Sequence, residues 1–269
     1  MEGVTKIDSG RPGKTVAVFG GVHGNERVGI DAVRDAAAHM KLQRGIAYFV
    51  EANPRAIAQN VRFVEKNLNR CFLADNAGTS YEDGRARELM ELLKGCDALL
   101  DIHASNSRSA VPFIICDGAE ALPLARTLDF GIVTDGWDAL EPGATDGYMH
   151  GLGKLSLGIE CGSVFDGDAQ THRASSSIVR FLAYLDLIDA GPFPATLGQK
   201  HIHMFSCHIA DVDFSPSREF ADFEPIRKGD LIGTDGGRNI YAPEDSLAVF
   251  VRRRENPGQE AFLLGRQLD

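Results

Sequence analysis

The chain has 269 residues, of which 43% are hydrophobic and 25% are charged. These are the proportions of an ordinary soluble globular protein, long enough for one large domain or two smaller ones. Lys and Arg number 28 against 38 Asp and Glu, which gives a net charge of −10. This acidity argues against nucleic acid as a partner, and an anionic substrate would need locally placed arginines or a metal.

The cysteine pattern and the hydropathy of the sequence indicate the cellular compartment in which the protein is expected. The five cysteines are scattered without a C-x-x-C pair, which argues against a disulfide framework and a cysteine-cage zinc site. No window approaches 18 consecutive apolar residues, and no apolar segment follows a basic start at the N-terminus. We therefore expect a cytoplasmic protein with no membrane partner, and the sequence leaves a homo-oligomer open.

Apolar, strand-like runs alternate with helical patterns from Thr15 to about Asp189. The strand-like runs are TVAVFGG, IAYFVEAN, ALLDIHAS, VPFIIC, GIVTDG and LSLGIECG, and the helical patterns cover residues 26–40, 84–94, 119–128 and 168–188. The alternation predicts an α/β fold with a mostly parallel mixed sheet flanked by helices. In such folds ligands bind beyond the carboxyl ends of the strands.

The segment DAGPFPATLG, residues 189–198, is dense in proline and glycine and predicts a domain boundary. Short alternating segments follow it, such as HIHMFSCHI, DLIGTD and SLAVFVRRR, with turn signals between them and no helical pattern. We therefore predict a first domain of residues 1–195 and a small C-terminal β domain of residues 196–269.

His23 and Glu26 lie where the first predicted strand gives way to the first predicted helix. Gly21 and Gly24 permit backbone angles there that other residues resist. An imidazole and a carboxylate three positions apart can converge on one point, and both are good zinc ligands at about 2.0–2.2 Å. The same pattern is also typical of a helix-capping loop with solvated polar groups.

Two further predicted strands end in residues suited to the same chemistry. His103 follows an apolar run with Asp101 on the same strand face, which fits a metal ligand with an orienting carboxylate, or else a structural buried histidine. Glu160 ends another strand, where packing alone does not favour an acid and a general base belongs. The neighbouring Cys161 is a poor candidate nucleophile because no His–Asn pairing is evident for it.

Three other polar segments are candidates for binding. Arg62, Asn67, Asn69 and Arg70 lie within VRFVEKNLNRCF, which is either an anion-binding cluster or a solvated loop. Asp146 and Tyr148 are predicted on a loop that lines the pocket or forms an ordinary turn. The segment HIHMFSCH gathers residues that could bind a second metal, but their spacing fits no known cage and favours an exposed strand: His201, His203, Cys207 and His208.

Five short motifs occur in the order and at roughly the separations seen in one family: GGVHGNE, ANPRA, RFVEKNLNR, LLDIHAS and GIECG. On these motifs the chain resembles the succinylglutamate desuccinylase/aspartoacylase family, a branch of the carboxypeptidase-A-like zinc hydrolases. The resemblance is strong over residues 16–162 and weaker in the tail. It implies a zinc carboxypeptidase-like fold and hydrolysis of the amide bond of a small N-acyl amino acid.

The resemblance also implies site residues. One zinc ion per chain would be held by His23, Glu26 and His103, and Glu160 would be the base that activates the attacking water. Arg62 would polarise the scissile carbonyl. The α-carboxylate of a small anionic N-acyl amino acid would be held by Asn69 and Arg70, and the C-terminal β domain would narrow the approach to the metal.

The sequence departs from the family pattern at one position. Aspartoacylases carry an arginine about ten residues before the catalytic glutamate, and counting back from Glu160 reaches His150 (160 − 150 = 10). N-acetylaspartate is therefore not favoured as the substrate, and His150 and Tyr148 are predicted as substrate-binding residues instead. A small zinc carboxypeptidase, a peptide amidase, and a metal-binding relative without turnover remain alternatives.

Overall fold

An eleven-stranded mixed sheet with helices packed on both faces organises the computed structural model, which describes residues 1–105 and 107–268. The helices are α1 (Arg27–His39), α2 (Pro54–Gln59), α3 (Tyr81–Lys94), α4 (Leu122–Ala125), α5 (Trp137–Leu140), α6 (Thr145–Gly151) and α7 (Asp168–Tyr184). Among these helices none is both long and apolar enough to cross a membrane.

Strands occur throughout the described part of the chain. They are β1 (Val4–Asp8), β2 (Thr15–Gly20), β3 (Ile46–Glu51), β4 (Ala98–Ser105), β5 (Phe113–Ile115), β6 (Ile132–Asp135), β7 (Leu155–Ser163), β8 (Lys200–Ile209), β9 (Phe214–Pro216), β10 (Glu224–Ile226), β11 (Leu231–Asp235), β12 (Arg238–Tyr241), β13 (Ser246–Val249) and β14 (Glu260–Gln267). The order in the large sheet is β1-β3-β2-β4-β7-β5-β6-β8-β14-β13-β10.

The half of the sheet from β1 to β8 is mostly parallel. Five of its seven strand pairs are parallel, and the exceptions are β1 with β3 and β5 with β7. This confirms the predicted α/β fold. Because β2, β4 and β7 are parallel neighbours, their carboxyl ends meet at one edge, and His103 of β4 lies opposite Glu160 of β7.

The apolar run of β2 shows why the strands of this half are buried on both faces. Val16 and Val18 pack with α1 and α7 in one core cluster, whereas Ala17 and Phe19 pack with α3 in a second cluster. Side chains alternate between the faces of a strand, so a strand covered on both sides has no polar positions. This burial fixes the position of the turn that follows β2.

The chain after residue 196 continues the same sheet. β8 pairs in parallel with β6 and antiparallel with β14, and β13 and β10 extend the sheet by antiparallel pairing. β12, β11 and β9 form a second, three-stranded sheet, and residues 196–268 contain no helix, as predicted. The large sheet thus crosses residue 196, and the division into two domains stays a prediction.

Two predicted elements differ from the structure. The predicted loop that carries Asp146 and Tyr148 is helix α6, held against β7 and β4 by the buried Thr145 and Met149 although glycines within it disfavour a helix. The predicted helix over residues 119–128 is only partly formed, because residues 126–128 lie outside it. It divides into a 3₁₀ turn at Ala119–Ala121 and the short α4.

Candidate active site

The turn between β2 and α1 presents two buried polar side chains. Gly21 adopts a φ of 71°, and a Cβ at Gly24 would overlap the backbone of Ala56, so both positions require glycine. His23 is 4% exposed and Glu26 is 3% exposed. Glu26 is the N-cap residue of α1, yet its side chain caps no helix N–H. The carboxylate faces the end of β4 instead.

His103 meets the His23–Glu26 pair at that point. Glu26 Oε1 lies 2.8 Å from His23 Nδ1, and Glu26 Oε2 lies 3.1 Å from His103 Nδ1. One ligand atom from each of the three residues lies within 4.8 Å of the others. His23 Nδ1 is buried and makes no hydrogen bond despite its short distance to Glu26. Two imidazoles and one carboxylate in this arrangement can hold a metal ion and leave one position open.

Each imidazole has an acceptor behind it. His23 Nε2 lies 3.0 Å from Asn67 Oδ1, and His103 Nε2 lies 3.0 Å from Asp101 Oδ2. Asp101 also accepts the hydroxyl of Thr145. An acceptor at Nε2 keeps the proton on that nitrogen and leaves the Nδ1 lone pair for a cation. Asn67, which sequence reasoning placed in an anion-binding cluster, thus contacts a candidate metal ligand.

The charges at this group suit a cation. Burial lowers the pKa of His23 to about 4, so its imidazole is neutral at pH 7. Burial alone would raise the pKa of Glu26, but His23 and His103 outweigh it and hold that pKa well below its usual range. Burial opposes a charge on His103, yet Asp101 and Glu26 raise its pKa well above the ordinary value. The ionised Glu26 and the neutral His23 suit a divalent ion, which would have to displace the proton that the raised pKa leaves on His103.

Glu160 of β7 lies opposite His103 of β4, and one of its carboxylate oxygens has no partner among the described residues. Its Oε2 atom is buried and makes no hydrogen bond. Burial and then the charge of Glu26 raise the pKa of Glu160 to about 8. A divalent cation nearby would favour the ionised carboxylate, because an opposite charge lowers a carboxyl pKa. An orphaned carboxylate oxygen in a buried site calls for a functional explanation, and a general base supplies one.

The predicted anion-binding residues reach the site to different degrees. Arg62 is 43% exposed at its side chain and donates from Nη1 to Glu26 Oε1 at 3.0 Å. Asn69 Oδ1 accepts the backbone N–H of Thr145 at 3.2 Å, which places Asn69 at the start of α6. Arg70 forms an ion pair with Glu141 and lies 3.4 Å from Glu260 Oε2. Arg62 therefore joins the candidate metal group, whereas Arg70 already has carboxylate partners.

Tyr148 and His150 lie on α6 and contact other elements. Tyr148 packs against the core cluster that includes α3. Burial raises the pKa of Tyr148, and the charge of Lys94 opposes that rise. His150 Nδ1 lies 2.6 Å from Asp138 Oδ2 of α5. These contacts do not connect Tyr148 or His150 with His23. A substrate-binding role for the two residues stays a prediction.

The histidines of β8 have carboxylate partners of their own. His201 Nε2 and His203 Nδ1 lie 2.8 Å and 2.5 Å from the two oxygens of Asp135. His208 Nε2 lies 2.9 Å from the buried Asp235. Within residues 1–105 and 107–268, His23, Glu26 and His103 are the only group with metal-ligand spacing.

Comparison with known proteins identifies relatives that match most of the chain. A model of the succinylglutamate desuccinylase/aspartoacylase catalytic domain matches residues 12–188. A probable aspartoacylase from Nostoc sp. is 26% identical over 87% of this chain and 88% of its own length. An N-acyl-aromatic-L-amino acid amidohydrolase (carboxylate-forming) from Rattus norvegicus is 28% identical over 90% of this chain and 87% of its own. The crystal structure of a succinylglutamate desuccinylase from Vibrio cholerae has the same fold, with a TM-score of 0.80 and 20% sequence identity. The match covers 100% of this chain and 86% of the Vibrio chain.

Proposed function

Because the chain belongs to the succinylglutamate desuccinylase/aspartoacylase family, we propose that it is a zinc-dependent deacylase that hydrolyses the amide bond of a small N-acyl amino acid. The relatives named above are a probable aspartoacylase and an N-acyl-aromatic-L-amino acid amidohydrolase, which supports an enzyme acting on amide bonds. One observation carries the proposal most directly. His23 Nδ1 and Glu160 Oε2 are buried and make no hydrogen bond with the described residues, and His23, Glu26 and His103 lie close enough together to hold a metal ion.

We assign the cofactor as one zinc ion per chain, held by His23, Glu26 and His103. The donor set fits, since neutral imidazole nitrogen and carboxylate oxygen are preferred zinc ligands and Asn67 and Asp101 orient the two rings. When bound, zinc supplies a Lewis acid and makes water acidic enough to lose a proton near neutral pH.

In this proposal Glu160 and Arg62 carry the remaining catalytic roles. Glu160 takes a proton from the attacking water and passes it to the leaving nitrogen, because its free oxygen faces the site without another partner. Arg62 uses one amino group on Glu26, and its other donors stabilise the negative charge that develops on the carbonyl oxygen. Losing one such donor typically costs about 2.7–4 kcal/mol of transition-state stabilisation.

The substrate's α-carboxylate is assigned to Asn69 and Arg70. Glu141 and Glu260 hold the Arg70 guanidinium in place, so a bound carboxylate shares or replaces one of these partners. Tyr148 and His150 lie along α6, whose first turn is tied to the site through Thr145 and Asn69. We keep them as substrate-binding residues at the outer part of the pocket.

A substrate panel tests the proposal. The zinc-loaded chain and its Glu160→Gln variant are assayed on N-acetyl, N-formyl and N-succinyl amino acids and on dipeptides. We expect about one zinc per chain, turnover of acylated single amino acids, and none in the variant. Preferred cleavage of dipeptides would favour a small carboxypeptidase or peptide amidase. Metal binding without any turnover would favour a non-catalytic relative.

A further inference from the structure

Arg252, which follows β13, reaches back to the end of β4. Its Nη2 atom donates to Ser105 Oγ at 2.7 Å, and Ser105 is two residues beyond His103 on the same strand. The backbone N–H of Arg252 is fixed by Ala261 O at 2.9 Å, and the guanidinium lies 4.8 Å from the centre of the Phe250 ring. A positive charge from the C-terminal strands therefore lies beside the candidate active site.

No ion pair with a described residue neutralises this charge. Arg252 is partly buried, yet within the described residues it forms no ion pair, in contrast to Arg62 and Arg70. Burial lowers the pKa of Arg252, while the more distant charges of Asp222 and Glu160 act in the opposite direction. Arginines removed from solvent are normally paired with carboxylates or other anions. Among the described residues, the guanidinium therefore has no carboxylate partner of the kind that burial normally requires.

The geometry favours a carboxylate of the substrate as that partner. A guanidinium presents a planar fork that matches the two oxygens of a carboxylate. The α-carboxylate is already assigned to Arg70, whose contacts are Glu141 and Glu260, whereas Arg252 faces Ser105 at the end of β4. Arg70 is paired with Glu141 and Glu260, so a substrate whose only carboxylate lies at Arg70 would leave the Arg252 guanidinium without an anion.

We infer that Arg252 binds a second carboxylate of the substrate, carried by the acyl group or by the amino-acid side chain. The inference rests on the proposed deacylase function and narrows it to dicarboxylic N-acyl amino acids. Ser105 positions the guanidinium through its hydroxyl. The segment between β13 and β14 thereby contributes to substrate choice, because Arg252 lies in it.

The test compares substrates that differ only in the second carboxylate. N-acetylglutamate carries it on the side chain, N-succinylalanine carries it on the acyl group, and N-acetylglutamine and N-acetylalanine lack it. In Arg252→Met we expect kcat/KM to fall about 10–100-fold for one of the two dicarboxylates, mainly through KM, since charged hydrogen bonds carry such differences. The two monocarboxylate controls should change less than about threefold. Whichever dicarboxylate responds identifies the group that carries the second carboxylate.

Control variants separate binding from structure. Arg253→Met removes the same charge from the adjacent, exposed residue and should leave all substrates unchanged. Arg252→Lys keeps the positive charge, so its KM for the responding dicarboxylate should lie between those of Arg252→Met and the unmodified chain. Equal losses on all four substrates in Arg252→Met would overturn the inference, because a residue that only supports the fold does not discriminate between substrates.

Two measurements keep this test separate from that of the proposed function. By calorimetry, succinate and glutarate should bind the zinc-loaded protein more tightly than acetate does, and Arg252→Met should remove that preference. If this holds without turnover of any N-acyl amino acid, the proposed function fails and the carboxylate site stands. Arg252→Met should also retain the melting temperature of the ligand-free protein. A lower melting temperature that Asp222→Asn restores would show a structural role for Arg252 and overturn the inference.

Discussion

Asp101 and His103, two residues apart on β4, contact each other, with Asp101 Oδ2 lying 3.0 Å from His103 Nε2. Both side chains point to the same face because side chains alternate along a strand. Asp101 also accepts the Thr145 hydroxyl, so α6 is linked through one carboxylate to a candidate metal ligand. The ring orientation at the site therefore depends on a residue that is not itself a ligand.

We expect Asp101→Asn to weaken zinc binding about 10–100-fold, as is typical when the carboxylate behind a ligating histidine is lost. The amide is nearly the same size but cannot accept as strongly from the His103 ring. Competition with a chromogenic chelator measures the affinity. Asp31→Asn, on the exposed face of α1, is the matched control. Unchanged zinc affinity in Asp101→Asn would contradict the role given to Asp101.

We expect Glu160→Gln to retain about one zinc per chain and to lose at least about 100-fold in kcat, because general acid–base catalysis contributes about 10²–10⁴-fold. The substitution keeps the shape of the side chain and removes its capacity to accept a proton. Metal analysis and steady-state kinetics on the same preparation give both quantities. Activity near that of the unmodified chain would remove Glu160 from the mechanism.

The sequence predicted the parts of the site that follow from local patterns. β2, β4 and β7 are apolar runs buried on two faces, and each leads directly to a polar residue at the same edge of the sheet. Such a placement has no packing explanation, so His23, His103 and Glu160 were recognisable as candidates without coordinates.

Contacts between distant segments were not predictable in this way. Arg252 meets Ser105 across 147 positions, and Arg70 meets Glu260 across 190. The triplet of arginines at residues 252–254 was visible as a basic run, but nothing in its spacing indicated which member turns inward. Helix α6 was missed for a related reason. Its glycines disfavour a helix locally, and it is held by tertiary contacts of Thr145 and Met149.

Substitution of Arg70 tests the α-carboxylate assignment. We expect Arg70→Ala to raise KM far more for free-acid substrates than for their α-amides, because only the free acid offers a carboxylate to the guanidinium. A factor of about 10–100 for the acids is the expected size for a lost charged hydrogen bond. Michaelis–Menten kinetics on matched acid and amide pairs measure the difference. Equal effects on the two series would refute the assignment.

The Asp138–His150 pair predicts a pH dependence of stability. The hydrogen bond with Asp138 raises the pKa of His150 above its ordinary value of 6.5, against a smaller opposing effect of burial. A group with a raised folded-state pKa stabilises the fold fully below its unfolded pKa, and that stability is lost as the pH rises through the folded-state pKa. The contribution is therefore present at pH 5.5 and absent well above the raised pKa, for example at pH 9.

We expect His150→Gln to be destabilised relative to the unmodified chain at pH 5.5 by about 1 kcal/mol or less, since the His150 and Asp138 side chains are 37% and 33% exposed and solvent screens the pair. The difference should shrink as the pH approaches 9. Urea unfolding at several pH values measures it, with His172→Gln on the exposed surface of α7 as the matched substitution. A difference that stays constant, or that grows towards alkaline pH, would contradict an ion pair between α5 and α6.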